Sequence, residues 1–355
     1  MDGAGRETER EPSDRNVSSS TRRGATRLSL GRGLCGARVA FVVCLLMTTA
    51  IYAPSLANGY LYEDLTATNR TWSGWVDAGQ AAVAAPARSL SRLSVDLTRH
   101  VFGPSARPLR IVSLGWHVLN GWLLWLVARP LLSAWGATLA AGVFLLHPMQ
   151  TESVAYLASQ PELMAATWIL LALLASARGW MVLTGICAAL AITGKDMAIV
   201  VWLLVPLWAW QTDQRWSRAQ IAGWIVAAAG MVAAFDLALA EHGWLVAPSV
   251  VYVAGQLTQA GRLVLLIPEA LIHPHALTID HDWAWITRTT AYAGAGGWLM
   301  ALVLTRGWWR FALLWTAVAL LPRLVLPLPD GIHERHLTTP LIAWSLAVGS
   351  LLKES

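Results

Sequence analysis

ELMAATWILLALLASARGWMVLTGICAALAITGKDMAIVVWLLVPLWAW, residues 162–210, holds three apolar runs broken by charge at only two places, Arg178-Gly179 and Lys195-Asp196. Soluble domains do not line up apolar runs this way, and each run reads as a helix in a membrane bundle. The runs 180–194 and 196–210 are shorter than the ~20 residues of a straight span. They form either one broken helix or two short helices meeting in thinned membrane.

Outward from this stretch, further apolar segments lie at about 38–57, 110–128, 131–146, 219–240, 290–305, 308–326 and 337–352. The fold class that follows is an all-α polytopic membrane protein of about ten transmembrane helices, nine to eleven. Composition agrees: 56% of the 355 residues are hydrophobic and 13% charged, with a mean hydropathy of +0.50. Many of the 21 tryptophans, such as Trp135, Trp208, Trp210, Trp308 and Trp309, sit near span ends, as interfacial anchors do. The three cysteines form no CxxC motif, which argues against a disulfide framework or a zinc site.

Residues 1–36 are polar and rich in Arg and Ser and read as a disordered cytoplasmic tail. The net charge of +5 comes largely from arginine and reports orientation rather than nucleic-acid binding. Arg22 to Arg38 set the amino terminus inside. Alternation then keeps Arg129, Arg178, Arg215, Arg218, Arg306, Arg310 and Lys353 inside, with both termini cytoplasmic. It puts Glu63-Asp64, His147 to Glu152, Lys195-Asp196 and His333 to His336 on the opposite, extracytoplasmic face. Pro268, Glu269 and the following histidines interrupt residues 250–280, which read as an amphipathic or re-entrant piece on that face. The membrane domain is therefore 37–353, with a first outer loop at 58–108 and a second large outer segment at 241–288. No internal repeat of 20–50 residues is visible.

Ionisable groups at membrane depth are costly and usually functional, so the outer clusters are the candidate site. Glu63-Asp64 is either a solvated turn or a carboxylate pair in which one member holds a proton as a base. Residues 89–103, SLSRLSVDLTRHVFG, have apolar residues at helical spacing interleaved with Arg92, Arg99 and His100. This suits a helix lying in the interface as well as a generic surface helix. His117 and Asn120 share a face at i and i+3, as a packing pair or as pocket residues. His147, Gln150, Glu152 and Glu162 fill a loop that returns at once to the membrane, without the spacing of a metal pair. Lys195-Asp196 reads as an ion pair at a helix break, or as a lysine aimed at a phosphate. His333, Glu334, Arg335 and His336 form the densest polar cluster, read as an anion grip or as snorkelling charges.

Taken in order, these motifs resemble the transmembrane-and-tetratricopeptide O-mannosyltransferase family, within the C-type (GT-C) fold of polyprenyl-phosphate-sugar glycosyltransferases. NGYLYEDLTATN is similar to the family's first-loop acidic segment, and the stretch from Arg88 to Asn120 to its Arg-Pro-Leu, interfacial-helix and His-x-x-Asn run. HPMQTESVAYLASQPELMAA resembles its His-Pro loop, TGKDMAIVVWLLVPL its Lys-acid break, and LTQAGRLVLLIPEALIHPHALTIDHD a later outer segment. ERHLTTP resembles its Glu-Arg loop before a span, and the likeness covers roughly 50–345. Glu63 stands where the family usually has Asp, Ser89 where it has Pro, Leu124 where it has His, Gln160 where it has Arg and Thr338 where it has Tyr.

The resemblance implies an inverting transfer of a sugar, mannose or a similar one, from a polyprenyl-phosphate donor to a hydroxyl, protein Ser or Thr included. Under it, Glu63 or Asp64 acts as base, while Arg88, Lys195, Arg335 and His336 hold the donor phosphate. His117, Asn120, His147, Glu152, Asp196 and Glu334 shape the sugar and acceptor pocket. Its partners are the lipid-linked donor, membrane lipid and a protein acceptor or acceptor-presenting partner, with no nucleic acid. No cofactor is called for, and nothing in the spacing supports a divalent metal. Two other readings stay open: a non-catalytic relative that binds the carrier lipid or acts as a scaffold, and a secondary transporter. An Arg-, Ala- and Trp-rich composition fits a bacterial inner or plasma membrane protein.

Overall fold

The computed structural model describes residues 35–61, 64, 74–84, 86–241, 271, 288–325 and 333–352. Among them there are helices and no strand. In chain order the main helices are α1 (Cys35–Ala57), α2 (Trp75–Ala84), α3 (Ser89–Phe102), α4 (Ala106–Ala128) and α5 (Ala134–Leu146). A short α6 (Thr151–Ala155) leads to α7 (Gln160–Ala177), α8 (Met181–Gly194), α9 (Val201–Gln211) and α10 (Arg218–Glu241). The last are α11 (Arg288–Leu304), α12 (Gly307–Val325) and α13 (Thr338–Gly349).

Each apolar stretch read from the sequence is a helix, with ends shifted by a few residues. Three helical segments, Cys35–Ala57, Ala106–Ala128 and Leu157–Ala177, are long and apolar enough to cross a membrane. The shorter apolar helices run Ala134–Leu146, Met181–Gly194, Asp196–Gln211, Arg218–Ala233 and Tyr292–Leu304. Helix α2 was not anticipated, since its small residues carry little periodicity. Expected features at 1–34, at Glu63, at 242–270 and at 272–287 lie outside the described residues.

Local chemistry sets the ends. Ser133 caps α5 by accepting the Gly136 amide at 3.0 Å. Helix α7 stops at Arg178-Gly179, where a left-handed glycine closes the last turn. Gly179 has φ +73°, its amide reaches the Ser176 carbonyl at 2.9 Å, and the Trp180 amide reaches Ala175 at 3.0 Å. Lys195 is extended, at φ −147° and ψ 128°, and ends α8; a 3-10 turn over Asp196–Val200 then opens α9. Of the two sequence readings of this break, two helices separated by an extended residue is the one observed.

Helix α7 packs on α8, α4 on α5 and α7, and α13 on α5 and α12. A Cβ on Gly136 would sit 2.6 Å from the Gly349 carbonyl oxygen, so only glycine lets α5 and α13 touch backbone to backbone. The core centres on Leu124, Phe144, Leu170, Leu173, Trp208, Phe311 and Trp315, all almost fully buried. Helix α1 differs: only 17% of its most apolar window is buried. Most of its surface is left for lipid, which a closed helical backbone tolerates.

This arrangement sorts the helix ends. Asp64 lies against the start of α4, and His147 ends α5. Glu162 is in the first turn of α7, Lys195 ends α8, Arg323 is in the last turn of α12, and Glu334 to His336 precede α13. Alternating helix direction brings all of these to one end of the bundle.

Candidate active site

Asp64 is fully buried, and its carboxylate serves the chain itself. Oδ2 accepts the Leu61 amide at 3.1 Å and lies 3.7 Å from Arg110 Nη2; Oδ1 accepts the Ala158 amide at 3.0 Å. Arg110, also fully buried, donates to the carbonyls of Asn58 at 3.3 Å, Gly59 at 2.5 Å and Ala155. Burial pushes the Asp64 carboxyl above its usual range, against the amides and Arg110, which favour the charged form. This knot ties the segment after α1 to α4 and to the turn before α7. Its neighbour Glu63 lies outside the described residues.

Two ion pairs radiate from the break between α8 and α9. Lys195 Nζ donates to Glu162 Oε1 at 2.7 Å, and both residues are buried. Burial holds the Lys195 ammonium below its usual range, and Glu162 opposes that shift. Asp196 takes a two-pronged grip from Arg88, with Nε to Oδ2 and Nη2 to Oδ1 both at 3.1 Å, the geometry of a strong charged pair. Burial alone would raise the Asp196 carboxyl, yet Arg88 and Lys195 leave it below its usual range. The Arg88 side chain remains 41% exposed, the most open cation of the cluster. Its backbone is left-handed at φ +62°, a strained conformation for a non-glycine residue. Ser89, at the position where the family pattern has Pro, begins α3.

On the α13 side, Glu152 Oε2 accepts the Arg335 amide at 2.8 Å, and Oε1 lies 3.4 Å from Arg335 Nη1. Burial raises the Glu152 carboxyl, with Arg335 acting against it. The Arg335 guanidinium also sits 5.6 Å from the Tyr156 ring centroid, within cation–π reach. His336 accepts the His333 amide at Nδ1, 3.1 Å away, contacts Arg323, and has Nε2 4.0 Å from Glu162 Oε1. Burial and the surrounding cations hold its imidazole well below its usual range, so it is neutral. Glu334 is buried in the same 3-10 turn. Thr338 donates to Gln150 Oε1 at 3.1 Å and pairs with Ser153 Oγ at 2.6 Å.

Three residues expected in the pocket also bond within the chain. His117, inside α4, bonds the Leu145 carbonyl through Nε2 at 3.0 Å and lies against Tyr52 and Phe144. Asn120 donates to the Leu163 carbonyl at 2.8 Å and accepts from Thr167 at 2.6 Å. His147 accepts the Met149 amide at Nδ1, 3.2 Å away, and its Nε2 lies 3.3 Å from the Leu271 carbonyl. The first bond places the ring proton on Nε2, the donor to that carbonyl. Burial lowers the His147 pKa. Contacts join Lys195 and His336 to Glu162, Arg88 to Asp196 and Arg335 to Glu152, three groups that lie close along the chain at Lys195-Asp196 and Arg335-His336, whereas Asp64 belongs to the Arg110 knot.

The sequence motifs assign no role to Glu162, Arg110 or Arg323. The signal was present: a charge in the first or last turn of an apolar run demands a partner. Among the described residues, the buried Gln150 Nε2, Ser159 Oγ and Gln160 Oε1 have no hydrogen-bond partner. No group of three His, Cys, Asp or Glu among the described residues could hold a metal ion. The site therefore holds paired cations and buried carboxylates, with these polar atoms left unsatisfied.

Residues 92–237 match the family described as dolichyl-phosphate-mannose-protein mannosyltransferase. That region contains His117, Asn120, His147, Glu152, Lys195 and Asp196. The chain is 31% identical over 197 residues to the protein O-mannosyl-transferase Tmtc1 of Drosophila melanogaster, covering 46% of this chain and 22% of that protein. It thus spans about a fifth of the length of the curated relative it matches. No solved structure matches. Both matches point the same way as the order of motifs: over these stretches the chain is similar to a mannosyltransferase family and to a protein O-mannosyl-transferase.

Proposed function

We propose that the chain is a membrane glycosyltransferase that moves mannose or a similar sugar from a polyprenyl-phosphate donor to a hydroxyl, with inversion, on the extracytoplasmic face. Ten crossings with both termini in the cytoplasm, in a GT-C-like domain over 37–353, put the charged end of the bundle on that face. The observation that carries the reading is the gathering of Arg88, Lys195 and Arg335 with buried carboxylates at one bundle end, in a chain that matches the mannosyltransferase family.

Asp64 spends both oxygens on backbone amides and Arg110, so it anchors the loop, and the base is assigned to Glu63. The Glu63 carboxylate takes the proton of the acceptor hydroxyl. The new bond forms from the acceptor oxygen to the sugar's anomeric carbon as the carbon–oxygen bond to phosphate breaks, and the electron pair leaves with the phosphate. Lys195, Arg335 and Arg88 stabilise that phosphate. Gln150, Ser159 and Gln160 supply unpaired polar atoms to the sugar.

One observation favours the alternative of a non-catalytic carrier-lipid binder or scaffold: each of those three cations already meets a carboxylate. Purified chain in liposomes with radiolabelled polyprenyl-phosphate mannose and an acceptor extract separates the readings. Transfer is expected, and Glu63→Gln should lower it by about 10²–10⁴-fold, as loss of a general base does. Unchanged transfer in Glu63→Gln/Asp64→Asn rejects the base assignment. Donor bound without turnover by the unsubstituted chain supports the alternative.

A further inference from the structure

At the bundle end opposite the candidate site, the carboxyl-terminal ends of α4, α7 and α9 surround a cavity of about 560 Å³. Helix α4 has 23 residues. At about 1.5 Å per residue it separates the two ends by roughly 35 Å. The cavity wall is apolar at Leu126, Leu173 and Trp208, and Arg129 and Arg178 line it where the helices end. The Gln214 amide lines it too, with its own needs met. The hydrogen-bond network orients that amide with nitrogen toward Ser176 and oxygen toward Thr212. It then bonds Ser176 Oγ at 2.8 Å, Thr212 at 2.9 Å and the Trp208 indole at 3.3 Å.

The two guanidinium groups are held over indoles: Arg129 is 4.9 Å from the Trp125 ring centroid and Arg178 is 5.5 Å from that of Trp180. Stacking fixes a guanidinium while its N–H edge stays available. Arg178 spends one N–H on the Leu174 carbonyl at 3.3 Å. Among the described residues neither arginine forms an ion pair. The helix ends oppose an anion with about half a charge each, but that field fades within a turn, and two full positive charges outweigh it.

We propose that this cavity binds the headgroup of an anionic phospholipid, its phosphate between Arg129 and Arg178 and the start of its acyl chains against Leu126, Leu173 and Trp208. Basic pockets between membrane helices take such headgroups. Charge complementarity and the apolar wall select a lipid over a soluble anion. The volume suits the headgroup and the first part of the chains rather than a whole lipid. The inference stands whether or not the chain transfers sugar.

The test uses the full chain, purified in neutral detergent, with phosphatidylglycerol, phosphatidylcholine or inorganic phosphate added. Thermal midpoint and lipid retained in native mass spectrometry are read together. Phosphatidylglycerol should raise the midpoint and stay bound, while phosphatidylcholine and phosphate should do much less. Arg129→Gln/Arg178→Gln should weaken retention at least about tenfold, as loss of charged hydrogen bonds implies. Ala177→Phe, which narrows the cavity from an exposed position and keeps both arginines, should also weaken it. Arg306→Gln/Arg310→Gln, outside the cavity, should not. Equal retention of the two lipids, an equal effect of phosphate alone, or equal loss in the control pair overturns the proposal.

Discussion

At one end of the bundle Lys195, Arg335 and Arg88 each meet a carboxylate, two of them deep inside the protein; at the other, Arg129 and Arg178 rest on indole faces with no acidic partner among the described residues. The same residue types are thus handled in two ways. Burial explains the difference. A buried charge is tolerated only when paired, because desolvation costs more than a lone group can recover. A charge at the bundle rim keeps its hydration and needs only an aromatic surface to hold its direction. Replacing a buried pair by apolar residues is often neutral, so the paired end is not there for stability. It fixes cations at set positions, as the phosphate grip proposed above requires.

The largest effect expected from this contrast comes from stranding a buried partner. Lys195→Ala leaves Glu162 uncompensated and should cost about 3–5 kcal/mol in denaturant or thermal unfolding, whereas Lys195→Leu/Glu162→Leu should recover most of that loss. A single substitution costing under about 1 kcal/mol would mean that water already reaches the pair.

A smaller effect is expected from acid. His147 and His336 have folded pKa values below the usual 6.5, because burial disfavours the imidazolium. As pH falls through about 6.5 the unfolded chain takes up protons that the folded chain refuses, so stability drops below that pH and is flat above it for these groups. Thermal midpoints measured from about pH 7.5 to about 5.5, across that value, should fall. His147→Gln/His336→Gln should lessen the slope. No histidine lines the opposite cavity, so acid should act first on the site end. A flat wild-type profile would remove this distinction.

The smallest effect is at the rim. Arg129→Gln in lipid-free detergent should change stability by no more than about 0.5 kcal/mol, as is usual for surface positions. A larger loss would show that the arginine secures the end of α4 instead of waiting for a ligand.

Where the apolar helices lie follows from the amino-acid order alone, though the position of the small-residue helix α2 does not. Apolar length, the Arg178-Gly179 stop and the Lys195 break are local, and backbone hydrogen bonding in an apolar setting leaves little choice but helix. The gathering of charge near helix ends is legible in the same way, since alternating direction follows from short connections. Which charge meets which is settled by packing. Lys195 and Asp196 are adjacent and read as a local ion pair, yet their hydrogen bonds go to Glu162, 33 residues away, and to Arg88, 108 residues away. Glu152 finds Arg335 across 183 residues. His117 and Asn120 look the same in sequence whether they face a pocket or a neighbouring helix, and the bundle turns both toward helix carbonyls. Periodicity and length are properties of a segment, whereas the partner of a buried charge depends on which other segments arrive beside it and on the need to leave no buried charge alone.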